Sequence, residues 1–269
     1  MELAVECFGQ GDIPILCLHG HPGTGRCMSV FAEYLSPYFQ IIAPDLRGYG
    51  RSRTADHFEM EQHLDDLSIL LSRLDQPCLL LGWSLGGILA MELALKYPEQ
   101  IAGLVLVSTA ARPVGRHPKI TWQDTLMTGV AGVINWLTPG WLWNISTFGQ
   151  RSLFRYLISQ HSPQAYRYIA REGTPAFLKT SALANQALSK ALKQGYNRLE
   201  DLHHIVQPCL MLAAANDVHI TPESSHETAV NLPNCDWRLY ENVAHLMPWE
   251  IGPQLCDDIG HWLRRYGFI

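Results

Sequence analysis

Four apolar residues, Cys78-Leu79-Leu80-Leu81, stop at Gly82-Trp83-Ser84-Leu85-Gly86, and beyond them Leu85, Ile88, Leu89, Leu93 and Leu95 recur at roughly helical spacing. A short apolar run bounded by glycine predicts a buried strand, and the repeat that follows predicts a helix. A turn that tight crowds the backbone. Gly82 and Gly86 relieve side-chain clashes there, Gly87 lets the helix pack closely on the sheet, and Ser84 is held outward as a nucleophile would be. The pentapeptide alone is a weak signal, so the rest of the chain must supply a base, an acid to orient it and an oxyanion site.

Strand-like runs recur along the chain and alternate with helical patterns. Ile13 to Leu18, Gln40 to Ala43, Cys78 to Leu81 and Leu104 to Val107 predict strands, with helices near Met60 to Leu74 and Leu85 to Tyr97. Such alternation predicts an α/β fold with a mostly parallel sheet covered by helices. From Ala111 to about His203 no buried strand is expected, and Trp, Tyr and Leu recur at irregular helical spacing, broken by Pro139 and Pro163. Sheet character returns at Pro208 to Ala213 and Asp236 to Tyr240, and a last helix is expected from Pro253 to Tyr266. The organisation this predicts is an α/β core of residues 1–111 and 204–269 with a helical cap, 112–203, inserted into it.

Composition narrows the function. With 269 residues, 47% hydrophobic and 17% charged, the chain can bury a large core. A net charge of -5 without a dense Lys/Arg run argues against a nucleic-acid partner. Seven cysteines, an odd number without C-x-x-C spacing and mostly within apolar runs, read as reduced core residues. Together with an N-terminus that lacks a basic segment before an apolar stretch, they predict a cytoplasmic protein. Residues Thr125 to Gln150 contain no Asp, Glu, Lys or Arg. Because Gly129, Gly132, Asn135, Pro139, Gly140 and Asn144 interrupt that stretch, a helical hairpin covering a lipophilic pocket is expected, with no membrane contact.

The chemistry-bearing residues lie at the ends of the expected strands. Ala214-Ala215-Asn216-Asp217 puts a carboxylate at the carboxyl end of one, where open α/β sheets build their sites. Tyr240-Glu241-Asn242-Val243-Ala244-His245 puts a histidine after the last. Ser84 as nucleophile, His245 as base and Asp217 as its orienting acid make one proton-transfer line. Glu241 is a spare carboxylate near the base. The early strand runs into His19-Gly20-His21-Pro22-Gly23, a loop open enough for backbone amides to meet a substrate oxygen, so the amides of His21 and Leu85 are the expected oxyanion donors. That loop lacks both G-x-x-x-x-G-K and G-x-G-x-x-G, which argues against nucleotide binding. No metal spacing such as H-E-x-x-H occurs, and no metal or cofactor is expected. Asp45 in Asp45-Leu46-Arg47-Gly48 is expected to cap a turn beneath the site; His19, His21 and His219 can all face the cleft, with His19 expected to brace the oxyanion loop, while His219 and His226 also fit a solvated loop and helix.

The ordered set of His19-Gly20, Asp45-Leu46-Arg47-Gly48-Tyr49-Gly50-Arg51-Ser52, the Ser84 turn, Asp217 and His245 resembles the α/β-hydrolase superfamily nearly end to end. The resemblance implies an eight-stranded core, a helical cap after the sixth strand and the chain order Ser, Asp, His. A serine at position 84 separates the chain from the branches with an aspartate there. Gly82-Trp83-Ser84-Leu85-Gly86-Gly87 also looks like the turn of carboxylesterases that cleave pimeloyl-carrier-protein methyl ester. The expected activity is hydrolysis of a small-molecule carboxylic ester through an acyl-enzyme, with a thioester or a carbon–carbon bond beside a carbonyl as alternatives and an acyl-carrier-linked substrate as one form. A non-catalytic, receptor-like ligand binder is the reading from another class. Trp83, Met127, Trp136, Trp141 and Trp143 are candidate pocket residues that would favour an apolar acyl or aromatic part. Trp122 and its neighbours could equally form the core of the cap.

Overall fold

The computed structural model describes all 269 residues. Seven strands form one sheet: β1 (Val5–Phe8), β2 (Ile13–Leu18), β3 (Phe39–Pro44), β4 (Cys78–Trp83), β5 (Ile101–Val107), β6 (Cys209–Ala214) and β7 (Cys235–Tyr240). Their spatial order is β1-β3-β2-β4-β5-β6-β7. Only β1 is antiparallel, pairing Val5 with Pro44; all other pairs are parallel. The expectation of eight strands is corrected to seven. A single strand precedes β2, and the chain passes from Phe8 through the turn at Gly9, which has φ 72°, straight into Ile13, so the antiparallel edge is one strand wide. The helical segment follows the fifth strand, not the sixth, for the same reason.

The α-helices are α1 (Ser29–Leu35), α2 (Glu61–Leu71), α3 (Leu85–Lys96), α4 (Trp122–Leu137), α5 (Leu142–Thr147), α6 (Pro163–Tyr168), α7 (Thr174–Leu178), α8 (Ala182–Lys193), α9 (Pro222–Asn231), α10 (Met247–Glu250) and α11 (Gly252–Arg265). The strand period of two sends alternate residues to opposite faces. On β4, Leu79, Leu81 and Trp83 join the core under α1, α10 and α11, while Cys78 and Leu80 join the core under α2, α3 and α9. Because both faces are covered, all six β4 residues are buried, which explains an apolar run without alternation. α3 is buried at nine of its twelve positions, whereas α11 buries one stripe, Leu255, Cys256, Ile259, Trp262 and Leu263.

The chain builds β2 and β3 to one side, then crosses to place β4 on the other side of β2. That reversal opens a crevice outside the carboxyl ends of β2 and β4, the general location of ligands in such sheets.

Between β5 and β6 the chain forms helices and turns only. α4 starts with a reciprocal cap, in which Asp124 N–H donates to Thr121 Oγ1 and Thr121 N–H to Asp124 Oδ2. The charge-free stretch becomes α4, a turn at Pro139-Gly140 and α5. Beside the core residues Ala131 and Ile145 its buried side carries two amides: Asn135 donates to the Tyr166 carbonyl at 2.7 Å and accepts Gly140 N–H at 3.0 Å, and Asn144 donates to the Ala131 carbonyl at 3.0 Å. No helix is long and apolar enough to cross a membrane.

Candidate active site

Ser84 is the pivot between β4 and α3, at φ 54° and ψ -116°. A side chain at positive φ is strained by about 1–3 kcal/mol and persists only where its surroundings over-determine it. They do here, for Ser84 N–H donates to the Val107 carbonyl at 2.9 Å, while its own carbonyl accepts Gly87 N–H at 2.9 Å and Thr109 Oγ1 at 2.8 Å. A Cβ on Gly82 would stand 2.4 Å from the Gly86 oxygen, and one on Gly86 1.9 Å from the Leu18 oxygen. Any larger residue would push α3 off the β2 end.

Two loops bring the other groups to this turn. Asn216 N–H donates to the Val243 carbonyl and Ala215 N–H to the Tyr240 carbonyl, both at 2.9 Å, so the loops after β6 and β7 are tied to each other. Asp217 Oδ1 accepts the N–H groups of His219 at 2.8 Å and Ile220 at 3.0 Å, leaving Oδ2 to accept His245 Nδ1 at 2.7 Å. With Nδ1 donating to a carboxylate, the other imidazole nitrogen is an acceptor, and His245 Nε2 lies 3.1 Å from Ser84 Oγ. All three side chains are buried. Glu241 is exposed and bonds none of them.

The His245 loop is clamped from behind. Glu250 Oε1 accepts Ala244 N–H at 2.9 Å, and Oε2 accepts the N–H groups of Ser159 and Gln160 at 2.8 and 2.6 Å. Burial raises the Glu250 carboxyl above its ordinary range against the pull of those three amides. Trp83 Nε1 donates to the His245 carbonyl at 3.2 Å, and Trp249 holds the Trp83 ring edge-to-face at 4.8 Å. Glu250 and Trp249 went unforeseen, and the acidic residue after a Met-Pro-Trp turn carried no motif to reveal them.

On the opposite wall, Leu46 N–H donates to His19 Nε2 at 3.0 Å, which makes Nδ1 the donor to the Gly20 carbonyl at 2.8 Å. Burial lowers this imidazole to about 4, so it braces the loop as a neutral ring. Asp45 accepts Gly25 N–H and Arg51 N–H, at 2.8 and 2.9 Å, behind that loop. Neither His21 N–H nor Leu85 N–H donates to a protein acceptor, and both residues line the cavity that holds Ser84 and His245.

That cavity has a volume of about 860 Å³ and its walls are largely apolar, with Ile88, Phe154, Leu157, Ile169, Phe177 and Leu192 among them. No carboxylate lines it; its ionisable groups are four histidines and Tyr168. Of the five candidate pocket residues Trp83 lines the cavity, whereas Met127, Trp136, Trp141 and Trp143 do not. α4 turns Thr128 and Gly132 toward the cavity, which puts Met127 off that face, and Trp136, Trp141 and Trp143 are exposed at 65%, 49% and 49%. Of the two placements open to His219, the cleft and a solvated loop, the structure shows the cleft. The turn that feeds its amide to Asp217 tucks its ring 5.0 Å from His245 and 4.6 Å from His117, and burial pushes it down to about 3. His226 is exposed, as read from the sequence.

A family model described as alpha/beta hydrolase fold matches residues 13–138. A pimeloyl-[acyl-carrier protein] methyl ester esterase of Yersinia enterocolitica is 34% identical over 112 residues, 40% of this chain and 41% of that protein. The match therefore spans about two fifths of that relative's length. Proline iminopeptidase PfmaB of Pestalotiopsis fici is 27% identical over 267 residues, 91% of this chain and 89% of its own. Among solved structures, a thermophilic esterase from Thermogutta terrifontis superposes with a TM-score of 0.69 at 27% identity, covering 98% of this chain and 93% of that one.

Proposed function

We propose that this member of the α/β-hydrolase superfamily is a serine hydrolase that cleaves carboxylic esters bearing an apolar acyl or aromatic part. One observation carries the reading: Ser84 Oγ, His245 and Asp217 form a continuous hydrogen-bonded line at an apolar cavity. In this mechanism Ser84 Oγ attacks the ester carbonyl while His245 Nε2 takes its proton. Asp217 holds the imidazole in the correct tautomer and stabilises the imidazolium. The N–H groups of His21 and Leu85, free of protein acceptors, would hold the oxyanion. His245 then returns the proton to the departing alcohol oxygen, leaving an acyl-Ser84. Water, deprotonated by the same nitrogen, releases the acid and restores the serine.

The cavity wall favours an ester over the peptide substrate that the fungal relative's name denotes. A free α-ammonium needs a carboxylate partner in an apolar site, and none lines this cavity. An acyl-carrier-linked ester, as in the name of the Yersinia relative, would present the same reacting bond. In this reading residues 112–203 act as the lid of the cavity, 1–111 and 204–269 as the core that holds the chemistry, and the thiol content fits a reducing, cytoplasmic location.

The test is labelling with a fluorophosphonate, followed by mass spectrometry of the adduct, with Ser84→Ala as control. Labelling confined to Ser84, together with turnover of p-nitrophenyl acyl esters, supports the mechanism. A folded protein that binds acyl compounds but neither labels nor turns over would overturn it in favour of a ligand-binding role.

A further inference from the structure

α4 is built inside out for a helix on a protein surface. Its buried side chains include Asp124 and Asn135, while Trp122, Leu126, Val133, Trp136 and Leu137 are exposed between 52% and 73%. Positions 122, 126, 133 and 137 fall on one helical stripe with Gly129, whose missing side chain would meet nothing within 4 Å. Trp141, Leu142 and Trp143 extend the stripe past the Gly140 turn. Phe177 and Leu178 of α7 are exposed as well, and Phe177 lines the same cavity as Thr128 and Gly132 of α4. Patches of this extent mark a binding surface.

Charge says what kind of surface covers it. Residues 112–203 carry 11 Lys/Arg against 4 Asp/Glu, a net +7, whereas the rest of the chain carries 9 against 21, a net -12. The cations that flank the stripe are exposed: Lys119 before α4, Arg151 after α5 and Arg167 beside the Gly140 turn. The two carboxylates between 112 and 193 are engaged, Asp124 with Arg155 and Glu172 with Arg26. A rim of cations around tryptophan and leucine is the chemistry of a surface that lies in an anionic headgroup layer. A second copy docked face to face would bring two such cationic rims together.

We propose that this face is a docking surface for an anionic lipid bilayer, on which α4 and α5 lie in the plane of the headgroups. The absence of a spanning helix is consistent with a protein that lies on a membrane without crossing it. Resting on the ester-hydrolase reading, the consequence is that acyl esters dissolved in the bilayer reach Ser84 past Phe177.

The test uses the whole chain carrying Ser84→Ala, so that binding is measured without turnover and stands or falls separately from the catalytic reading. It is sedimented with vesicles of phosphatidylglycerol and phosphatidylcholine, and with vesicles of phosphatidylcholine alone. The expected result is binding at least about tenfold tighter to the anionic vesicles, weakened by salt and accompanied by a blue shift of tryptophan emission. Adding Trp136→Asp and Leu142→Asp should weaken it by a further factor of about ten, while the same pair in the Ser84 background leaves hydrolysis of a water-soluble acetyl ester intact. No binding to anionic vesicles, or binding indifferent to the pair, overturns the proposal. So does a dimer in sedimentation velocity that the pair dissociates, or an acidic carrier protein whose binding the pair abolishes.

Discussion

Glu250 Oε1 accepts the backbone N–H of Ala244 at 2.9 Å, one residue before His245. Its other oxygen holds Ser159 and Gln160, so one carboxylate ties the His245 loop to the helical segment between β5 and β6.

Glu250→Gln replaces one acceptor oxygen with an NH₂ that faces amide donors. The variant is expected to lower kcat by about tenfold with KM nearly unchanged and to cost on the order of 2 kcal/mol of stability. Esterase kinetics and urea unfolding measure the two effects. Because the residue acts by positioning, the fluorophosphonate labelling rate should fall with kcat; a loss of stability at full labelling rate would reduce Glu250 to a structural brace.

Ser84→Ala and Ser84→Gly should both abolish ester turnover, by at least about a thousandfold. They should differ in stability, because only glycine adopts φ 54° without strain. Ser84→Gly is expected to unfold at higher urea than Ser84→Ala, by about 1 kcal/mol. Equal midpoints would mean that the turn stores no strain.

Asp217→Asn would present the imidazole with a donor or displace the amides of His219 and Ile220, and either outcome disturbs the tautomer. A fall in kcat of about 10⁴ is expected. Glu241→Gln serves as the control and should retain full activity, as it touches none of the three.

Asp45→Asn should separate structure from catalysis in the opposite way. Its two oxygens accept three donors, Gly25 N–H, Arg51 N–H and Arg51 Nε. Loss of about 2–3 kcal/mol is expected, with kcat within about threefold of the parent once the protein is folded. A large kcat defect at full stability would give Asp45 a role in the reaction.

Stability should fall as pH drops from neutrality. His19 is lowered to about 4, and His63 and His219 to about 3, all chiefly by burial. A histidine whose folded value is depressed is neutral in both states above 6.5; below that, only the unfolded chain takes the proton. Each costs about 1.4 kcal/mol per pH unit between 6 and its folded value. Glu250, raised by burial, works in the opposite direction, but burial also lowers His21 and His161, so it is one group against five. Urea midpoints should therefore decline steeply between pH 6 and 4.5, and less steeply in His63→Gln.

The parallel sheet and the Ser84 turn were legible because each rests on local chemistry, whereas the order Ser, Asp, His came from the family resemblance. Apolar runs at Ile13 to Leu18 and Cys78 to Leu81 are buried on both faces, and such runs announce themselves in any window of the chain. β1 and α1 were not foreseen, β1 being a half-exposed edge strand of four residues, and α9 reads in the sequence only as a solvated helix at His226 because it draws its burial from small residues, Ser224, Ser225, Thr228 and Ala229. Asp217 could be named from its strand end, yet Glu241 stayed open until Oδ2 was seen at His245.

The amino-acid order alone determined the layered α/β fold and which serine, histidine and aspartate stand at strand ends, since strand and helix periodicities are properties of neighbouring residues. Tertiary structure alone decided that His219 packs beside His245, that Glu250 clamps its loop, and that the tryptophans of α4 and α5 face outward. A period of 3.6 shows that a helix has two faces but not which one meets the protein. Asn135 and Asn144 settle that by finding backbone partners inside, at Tyr166 and Ala131, which turns the apolar face to the surroundings.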